Sequence, residues 1–157
     1  MKLNLGSNNV KYEGFLNVDI RDIPEVDIVD NVLELKTVED SSVEYIKAHN
    51  ILEHVAPDKV ISCLKTWVSK LVLGGTIEIG VPDGELIFKR YSNGIITRSQ
   101  YKDSPWEDVI HSIFGNMSLL RKWHGEEAEK YMHHILFNKD YLTKIMLQSG
   151  LVNITTL

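Results

Sequence analysis

Three short apolar strands are crowded into the first 29 residues, and the gaps between them are too small for ordinary parallel crossovers. Leu3 to Leu5, Phe15 to Ile20 (FLNVDI) and Val26 to Val29 (VDIV, bounded by Pro24 and Asp30) read as strands. Only about nine residues separate Leu5 from Phe15, and about five separate Ile20 from Val26. Parallel neighbours normally need a crossover of roughly a dozen residues or more. Either a helix on one face is cut down to a loop, or one of these pairings is antiparallel.

The rest of the chain alternates more regularly. Val43 to Ala48 (VEYIKA) reads as a fourth strand after the turn Glu39-Asp40-Ser41-Ser42. A helix follows, with Pro57 in its first turn and Val60, Leu64, Trp67, Val68 and Leu71 at helical spacing. Gly74-Gly75 supplies a permissive backbone for its C-terminal cap. Thr76 to Val81 is a fifth strand, closed by Pro82-Asp83. Residues 84–130 are broken by Ser92-Asn93-Gly94, Ser104-Pro105 and Gly115-Asn116, with short helices expected near 84–91 and 107–113. Asn138 to Ser149 is an amphipathic helix with Tyr141, Leu142, Ile145 and Met146 inward and Gly150 as cap, and Leu151 to Leu157 reads as a last strand. The pattern predicts an α/β fold around a mostly parallel sheet, in one domain spanning 1–157.

Composition narrows the function. A net charge of -5 with both signs interspersed argues against a nucleic-acid binder, which needs a concentrated Lys/Arg surface. Cys63 is the only cysteine, so neither an intramolecular disulfide nor a cysteine-based zinc site can form. No stretch approaches the roughly 20 apolar residues of a membrane span, and the first residues carry no secretory apolar region, so a cytoplasmic setting is expected.

Three segments carry candidate chemistry. LNLGSNN (residues 3–9) runs a strand into Gly6 and then Ser7, Asn8 and Asn9. In an open α/β sheet, ligands bind beyond the carboxyl ends of the strands, and a glycine there lets the backbone approach. Asp19 stands at the end of strand two, where an acid can accept both hydroxyls of a ribose. HNILEH (residues 49–54) puts His49, Asn50, Glu53 and His54 at the same sheet edge. His49 and His54 are five apart with no evident third ligand, so no metal is expected.

Taken in order, LNLGSNN, GFLNVDI, DIVDNV, SSVEYIKAHNILEHV, LVLGGTIEIGVPD and HHILFNKDYLTKIMLQSGL resemble the class I S-adenosylmethionine-dependent methyltransferases. The compact branch written L-N-L-G-x-G, G-W-x-N-V-D, H-x-L-E-H and L-x-P-G-G-x-L is the nearest pattern. The resemblance spans residues 2–83 and, more loosely, 133–152. It implies a three-layer Rossmann-like methyltransferase sheet, mostly parallel, expected here with shortened early crossovers and without the last antiparallel strand. It also implies S-adenosylmethionine as cofactor. Gly6, Ser7 and Asn8 would follow its methionine part, Asp19 would take the ribose hydroxyls, Ile20 would pack on adenine, and Asp30 and Asn31 would lie near the adenine amino group. His49 would close the site from strand four.

The sequence departs from that pattern in three ways. Asn8 stands for the second glycine, Asn31 for a usual acid, and the chain stops where a final antiparallel strand usually follows. On the acceptor side, no Asn/Asp-Pro-Pro-aromatic run follows strand four, which removes the signature of enzymes methylating DNA bases or a protein glutamine. Glu53, His54, His133 and His134 are the candidate catalytic groups, with Asp83 beside them. Residues 84–137 would form a lid and acceptor pocket from Tyr91, Tyr101, Trp106, His111, Phe114, Trp123, His124, Tyr131 and Phe137 together with the two histidines. Trp67 and Met146 are read as core. The expected activity is methyl transfer to a small-molecule or sugar acceptor. The alternatives are a non-catalytic partner subunit of the same fold and, more weakly, a nicotinamide-dependent dehydrogenase. An open sheet edge and a thin helical layer also raise the expectation of a homodimer.

Overall fold

The computed structural model describes residues 1–95 and 103–156. Five strands form one sheet: β1 (Lys2–Leu5), β2 (Leu16–Asp19), β3 (Ile28–Val29), β4 (Val43–His49) and β5 (Leu71–Gly80). Their spatial order is β3-β2-β1-β4-β5, and every pairing is parallel. The antiparallel option therefore falls, and the crossovers are the part that shrinks. No helix stands between β1 and β2, between β2 and β3, or between β3 and β4. A four-residue strand rises only about 13 Å, and ten residues of loop reach more than twice that far, so such short strands need no helix to return the chain.

Strand register divides the side chains into two unlike faces. Leu3, Leu5, Val18, Ile46, Ala48, Ile77 and Ile79 share one face. Helices α1 (Val60–Lys70) and α5 (Lys139–Gln148) cover it, contributing Val60, Cys63, Leu64, Trp67 and Ile145 to the same buried cluster. The periodicity of α1 sets this inner stripe, and the Trp67 indole N–H is satisfied by the Val32 carbonyl at 2.8 Å.

The opposite face is polar. Asn17, Asn4, Lys47 and Glu78 form one row across β2, β1, β4 and β5. Asn4 and Asn17 are 3% and 1% exposed, a burial that asparagine tolerates only when hydrogen-bonded. The Asn4 amide donates to Asn17 Oδ1 at 3.0 Å and to the Val10 carbonyl at 3.1 Å, while the Asn17 amide donates to the Glu25 carbonyl at 2.8 Å. These two side chains thus pin both shortened crossovers to the sheet. The first crossover also lays Tyr12 and Phe15 over this face: Lys47 Nζ sits 4.7 Å from the Tyr12 ring centroid, and Phe15 meets Tyr45 edge-on at 5.7 Å. The outer layer on this side is loop where helices would otherwise lie.

Several boundaries differ from expectation. Pro57 precedes α1, which ends at Lys70, and Leu71 caps it. Gly74-Gly75 lies within β5 instead, where the register against β4 shifts between Val43 and Tyr45. Gly74 has φ +82, so the pair makes an irregularity in a strand, not a helix end. Residues 151–156 form no strand; Ile154, Thr155 and Thr156 line a groove beside β5 and α5 without entering the ladder. Tyr141 on α5 is 40% exposed, Ile145 is buried in the core and Leu142 packs against it, while Met146, expected in the core, is half-buried and lines the groove beside β5. Three further helices, α2 (Gly84–Ser92), α3 (Pro105–Phe114) and α4 (Met117–His124), precede a 3₁₀ turn over Gly125–Tyr131. The last two elements lacked a clear periodic signal. Among the described residues, no helix is long and apolar enough to cross a membrane.

Candidate functional site

Strand order reverses between β1 and β4, and the candidate loop leaves β1 at that point. Gly6 has φ +62, and a β-carbon there would stand 2.6 Å from Ile51 Cδ1. The glycine is required on both counts: backbone conformation and the close approach of the loop after β4. Asn8 also adopts positive φ (+51), which asparagine tolerates better than most residues, so the turn survives without its second glycine. Between them Ser7 is buried, its N–H donating to the Val18 carbonyl at 3.2 Å, and its hydroxyl has no hydrogen-bond partner among the described residues.

Asp19, at the carboxyl end of β2, faces this loop. Its Oδ2 accepts the Asn8 backbone N–H at 2.9 Å. Its Oδ1 accepts both the Arg21 backbone N–H and Nε at 3.0 Å, and Arg21 Nη2 reaches Asp19 Oδ2 at 3.2 Å and Asn8 Oδ1 at 2.9 Å. Burial opposes ionisation of Asp19, but the hydrogen bonds from Arg21 and Asn8 outweigh it and hold the carboxyl below its usual range.

These groups border a cavity of about 480 Å³, within the size range of small-molecule and cofactor sites. Gly6, Asn8, Asp19, Ile20, Asn31, His54 and His134 line it, so the structure brings together most of the residues that the sequence suggests for cofactor binding. Ile20 is exposed, as an apolar platform must be, and Val32, Leu33 and Ile51 extend the apolar wall. Three of the expected residues stand elsewhere. Ser7 is buried and does not line the cavity. Asp30 caps the turn after β3, accepting from the backbone N–H groups of Asn31 and Thr37 and the Thr37 hydroxyl, each at 2.7 Å. His49 lies on the polar sheet face, with Nε2 2.6 Å from Glu78 Oε1, and lines the groove beside β5. Its neighbour Asn50, a positive-φ residue just past the end of β4, lines the cavity instead.

Sequence reading missed Arg21 and grouped His124 and Tyr131 with the lid and acceptor pocket. Those two rings stack at 3.6 Å between centroids and 12° between planes, and both border the cavity that Gly6 and Asp19 line. Arg21 could have been suspected as a cation two residues after the expected ribose acid. Of the remaining aromatic candidates, Phe137 is core and Phe114 is exposed, while Tyr101 and the Trp123 side chain lie outside the described residues.

A second cavity of about 500 Å³ lies between the end of β5 and helices α2 and α3. Glu53, Asp83, Tyr91, His111 and His133 are among its lining residues, and Asp83 also caps α2 through the Leu86 N–H at 3.1 Å. The wall between the two cavities holds a compact titratable cluster. Glu53, in the 3₁₀ turn Leu52–His54, is 1% exposed and neither carboxylate oxygen has a partner among the described residues. Desolvation pushes its pKa up to about 7. His54 Nδ1 donates to the Met132 carbonyl at 3.2 Å, and its ring meets His133 edge-on at 4.9 Å. Burial lowers the pKa of His54, and burial together with the nearby His54 lowers that of His133 to about 4. The His134 N–H donates to the Glu53 carbonyl at 2.8 Å, which fastens the two segments together and leaves the His134 side chain exposed at the other cavity. One ligating atom each from Glu53, His54 and His133 lies within 4.8 Å of the others, so a third donor that the local spacing of HNILEH could not reveal arrives from far along the chain.

Neither a protein-family model nor any curated protein sequence matches this chain. Among solved structures it is similar to a SAM-dependent methyltransferase from Archaeoglobus fulgidus, with a TM-score of 0.60 at 15% sequence identity. The match covers 97% of this chain but only 61% of that protein, so the chain spans about three fifths of its length. The likeness agrees with the five-stranded parallel sheet and the helices that flank it: the chain has the Rossmann-like methyltransferase fold.

Proposed function

We propose that this chain is an S-adenosylmethionine-dependent methyltransferase that acts on a small-molecule or glycan-type acceptor. The observation that carries the reading is the convergence of the Gly6–Asn8 loop and Asp19 on one cavity at the point of strand reversal. The donor set fits the cofactor. Asp19 offers a carboxylate for vicinal hydroxyls, and Ile20 and Val32 offer apolar surface for a purine. The Oδ1 of Asn31 already accepts the Leu33 N–H at 3.0 Å. Its remaining amide group is a donor, which suits a purine ring nitrogen better than an exocyclic amine.

The cofactor supplies an electrophilic methyl group on a sulfonium centre. The protein's part is to hold an acceptor oxygen in line, exclude water and receive a proton. The second cavity, separated from the first only by the wall that carries Glu53, His54 and His133, is the place for the acceptor. The described residues within 84–137 supply most of its lining and, in this reading, serve as a lid. Asp83 and Arg90 can hold polar substituents while Tyr91 offers an aromatic face. His133 Nδ1 and the Glu53 carboxylate present free lone pairs for the proton. The deciding experiment is calorimetry with S-adenosylhomocysteine, followed by methyl-transfer assays on polyhydroxylated and phenolic acceptors.

A further inference from the structure

We infer that Glu53, His54 and His133 form a binding site for one divalent transition-metal ion of the zinc, cobalt or manganese class. The inference rests on the cluster's geometry, so it stands independently of the proposed methyl transfer.

Three features carry it. First, the donors are already gathered: one oxygen or nitrogen from each residue lies within 4.8 Å of the other two. Tetrahedral ligation at about 2.1 Å sets donors roughly 3.4 Å apart, so side-chain rotation of about an ångström closes the site. Second, the donors are unspent. Both Glu53 oxygens and His133 Nδ1 are buried without a hydrogen-bond partner among the described residues, although Glu53 is 1% exposed. A buried carboxylate with no partner is costly and uncommon in a folded protein, and an unplaced cation is one of its standard explanations. Third, the outer contact is in place. A carbonyl can only accept, so the Met132 carbonyl at 3.2 Å holds a proton on His54 Nδ1 and leaves Nε2 as the nitrogen to ligate, the arrangement usual for a metal-bound histidine.

The ligand types select the ion. Two imidazoles and one carboxylate suit zinc, cobalt or manganese, and magnesium and calcium prefer oxygen donors. Three protein ligands leave at least one position open, as catalytic metal sites do. Glu53 and His133 border the second cavity, so that position opens onto it. Without the ion, the same lone pairs remain available as proton acceptors.

Cobalt(II) titration of the chelator-stripped full chain tests the inference directly, followed by visible absorption and calorimetry. The expected result is one equivalent bound with d–d bands of low-coordinate nitrogen/oxygen ligation, and zinc displacing the cobalt. Glu53→Gln keeps the shape of the side chain and removes a buried charge, so the metal-free variant should melt no lower than wild type. Its affinity for cobalt should fall at least about tenfold, since even outer-shell changes cost 10- to 100-fold. His133→Gln is the second variant and should lose affinity alike. No stoichiometric binding at 100-fold excess cobalt would overturn the inference, as would binding that survives both substitutions and therefore belongs to exposed histidines. S-adenosylhomocysteine binding is measured on the same samples: its absence would sink the proposed function and leave the metal result untouched.

Discussion

Arg21 holds the carboxylate that the cofactor's ribose would need: its Nε lies 3.0 Å from Asp19 Oδ1 and its Nη2 lies 3.2 Å from Oδ2. Ligand hydroxyls must displace or share these bonds. A charge-assisted hydrogen bond is worth about 1.5–3 kcal/mol, and part of that is recovered when Arg21 swings to solvent. The expected outcome for Arg21→Ala is therefore tighter S-adenosylhomocysteine binding, by about 1 kcal/mol or roughly fivefold. Isothermal calorimetry checks it, and weaker binding in the variant would show that Arg21 is a ligand contact and not a competitor.

Asn17→Ala tests whether the asparagine pair replaces the missing helices. The substitution strands the buried Asn4 amide's contact with Asn17 Oδ1 and frees the Glu25 carbonyl. We expect a loss of about 2–4 kcal/mol, the sum of one or two buried hydrogen bonds and their unsatisfied partners. Urea denaturation would read it, and a change below about 0.5 kcal/mol, the range of ordinary surface substitutions, would deny the pair its anchoring role.

Much of the fold was legible because its signals were local. The places of the five strands, the helix stripe of Val60, Leu64 and Trp67, and the short gaps before Phe15 and Val26 already narrowed the choice to reduced crossovers or an antiparallel pairing. What could not be read was which way that conflict resolved. The answer lay in Asn4 and Asn17, whose polar side chains look like solvent-facing strand residues until their register places them side by side under loops. The site divided in the same way. Gly6 and Asp19 follow from strand ends, Ile20 and Asn31 follow from the family resemblance, and all four converge on one cavity. His49 was misplaced by one residue, because the strand continues through it and the pleat sends its side chain to the polar face. The meeting of Glu53 and His54 with His133 depends on a tertiary contact with no local signature.

Glu78 gives a pH prediction with a definite sign. The Tyr45 hydroxyl first, and Lys47 second, stabilise its ionised form and hold its pKa at about 2, against an ordinary value of 4.5. A carboxyl depressed in the folded state adds stability that is complete above its unfolded pKa and is lost as pH falls from about 4.5 toward 2. That gap sets an upper bound of about 3 kcal/mol, and solvent screening of the partly exposed group leaves about 1–2 kcal/mol. Wild type should therefore lose its advantage over Glu78→Gln between pH 5 and roughly pH 2, measured by denaturation at each pH. A pH-independent difference would contradict the assignment.

Gly6→Ala should destabilise the chain by about 1–3 kcal/mol, since it combines a positive-φ position with an overpacked contact. The collision is with Ile51, 2.6 Å from the added methyl. Adding Ile51→Ala to Gly6→Ala should recover the steric part and leave the backbone part. A double-mutant cycle on thermal denaturation measures that coupling, and strict additivity would mean that Ile51 does not set the need for glycine.

The central claim is that the cavity bounded by Gly6, Asn8 and Asp19 holds S-adenosylmethionine, and calorimetry with S-adenosylhomocysteine tests it most directly. The account predicts saturable one-to-one binding below about 1 mM, on the order of 4 kcal/mol or more of binding free energy. It also predicts that Asp19→Ala weakens binding by roughly 1.5–3 kcal/mol per lost ribose hydrogen bond. No binding at millimolar ligand, or an affinity that Asp19→Ala leaves unchanged, would contradict it.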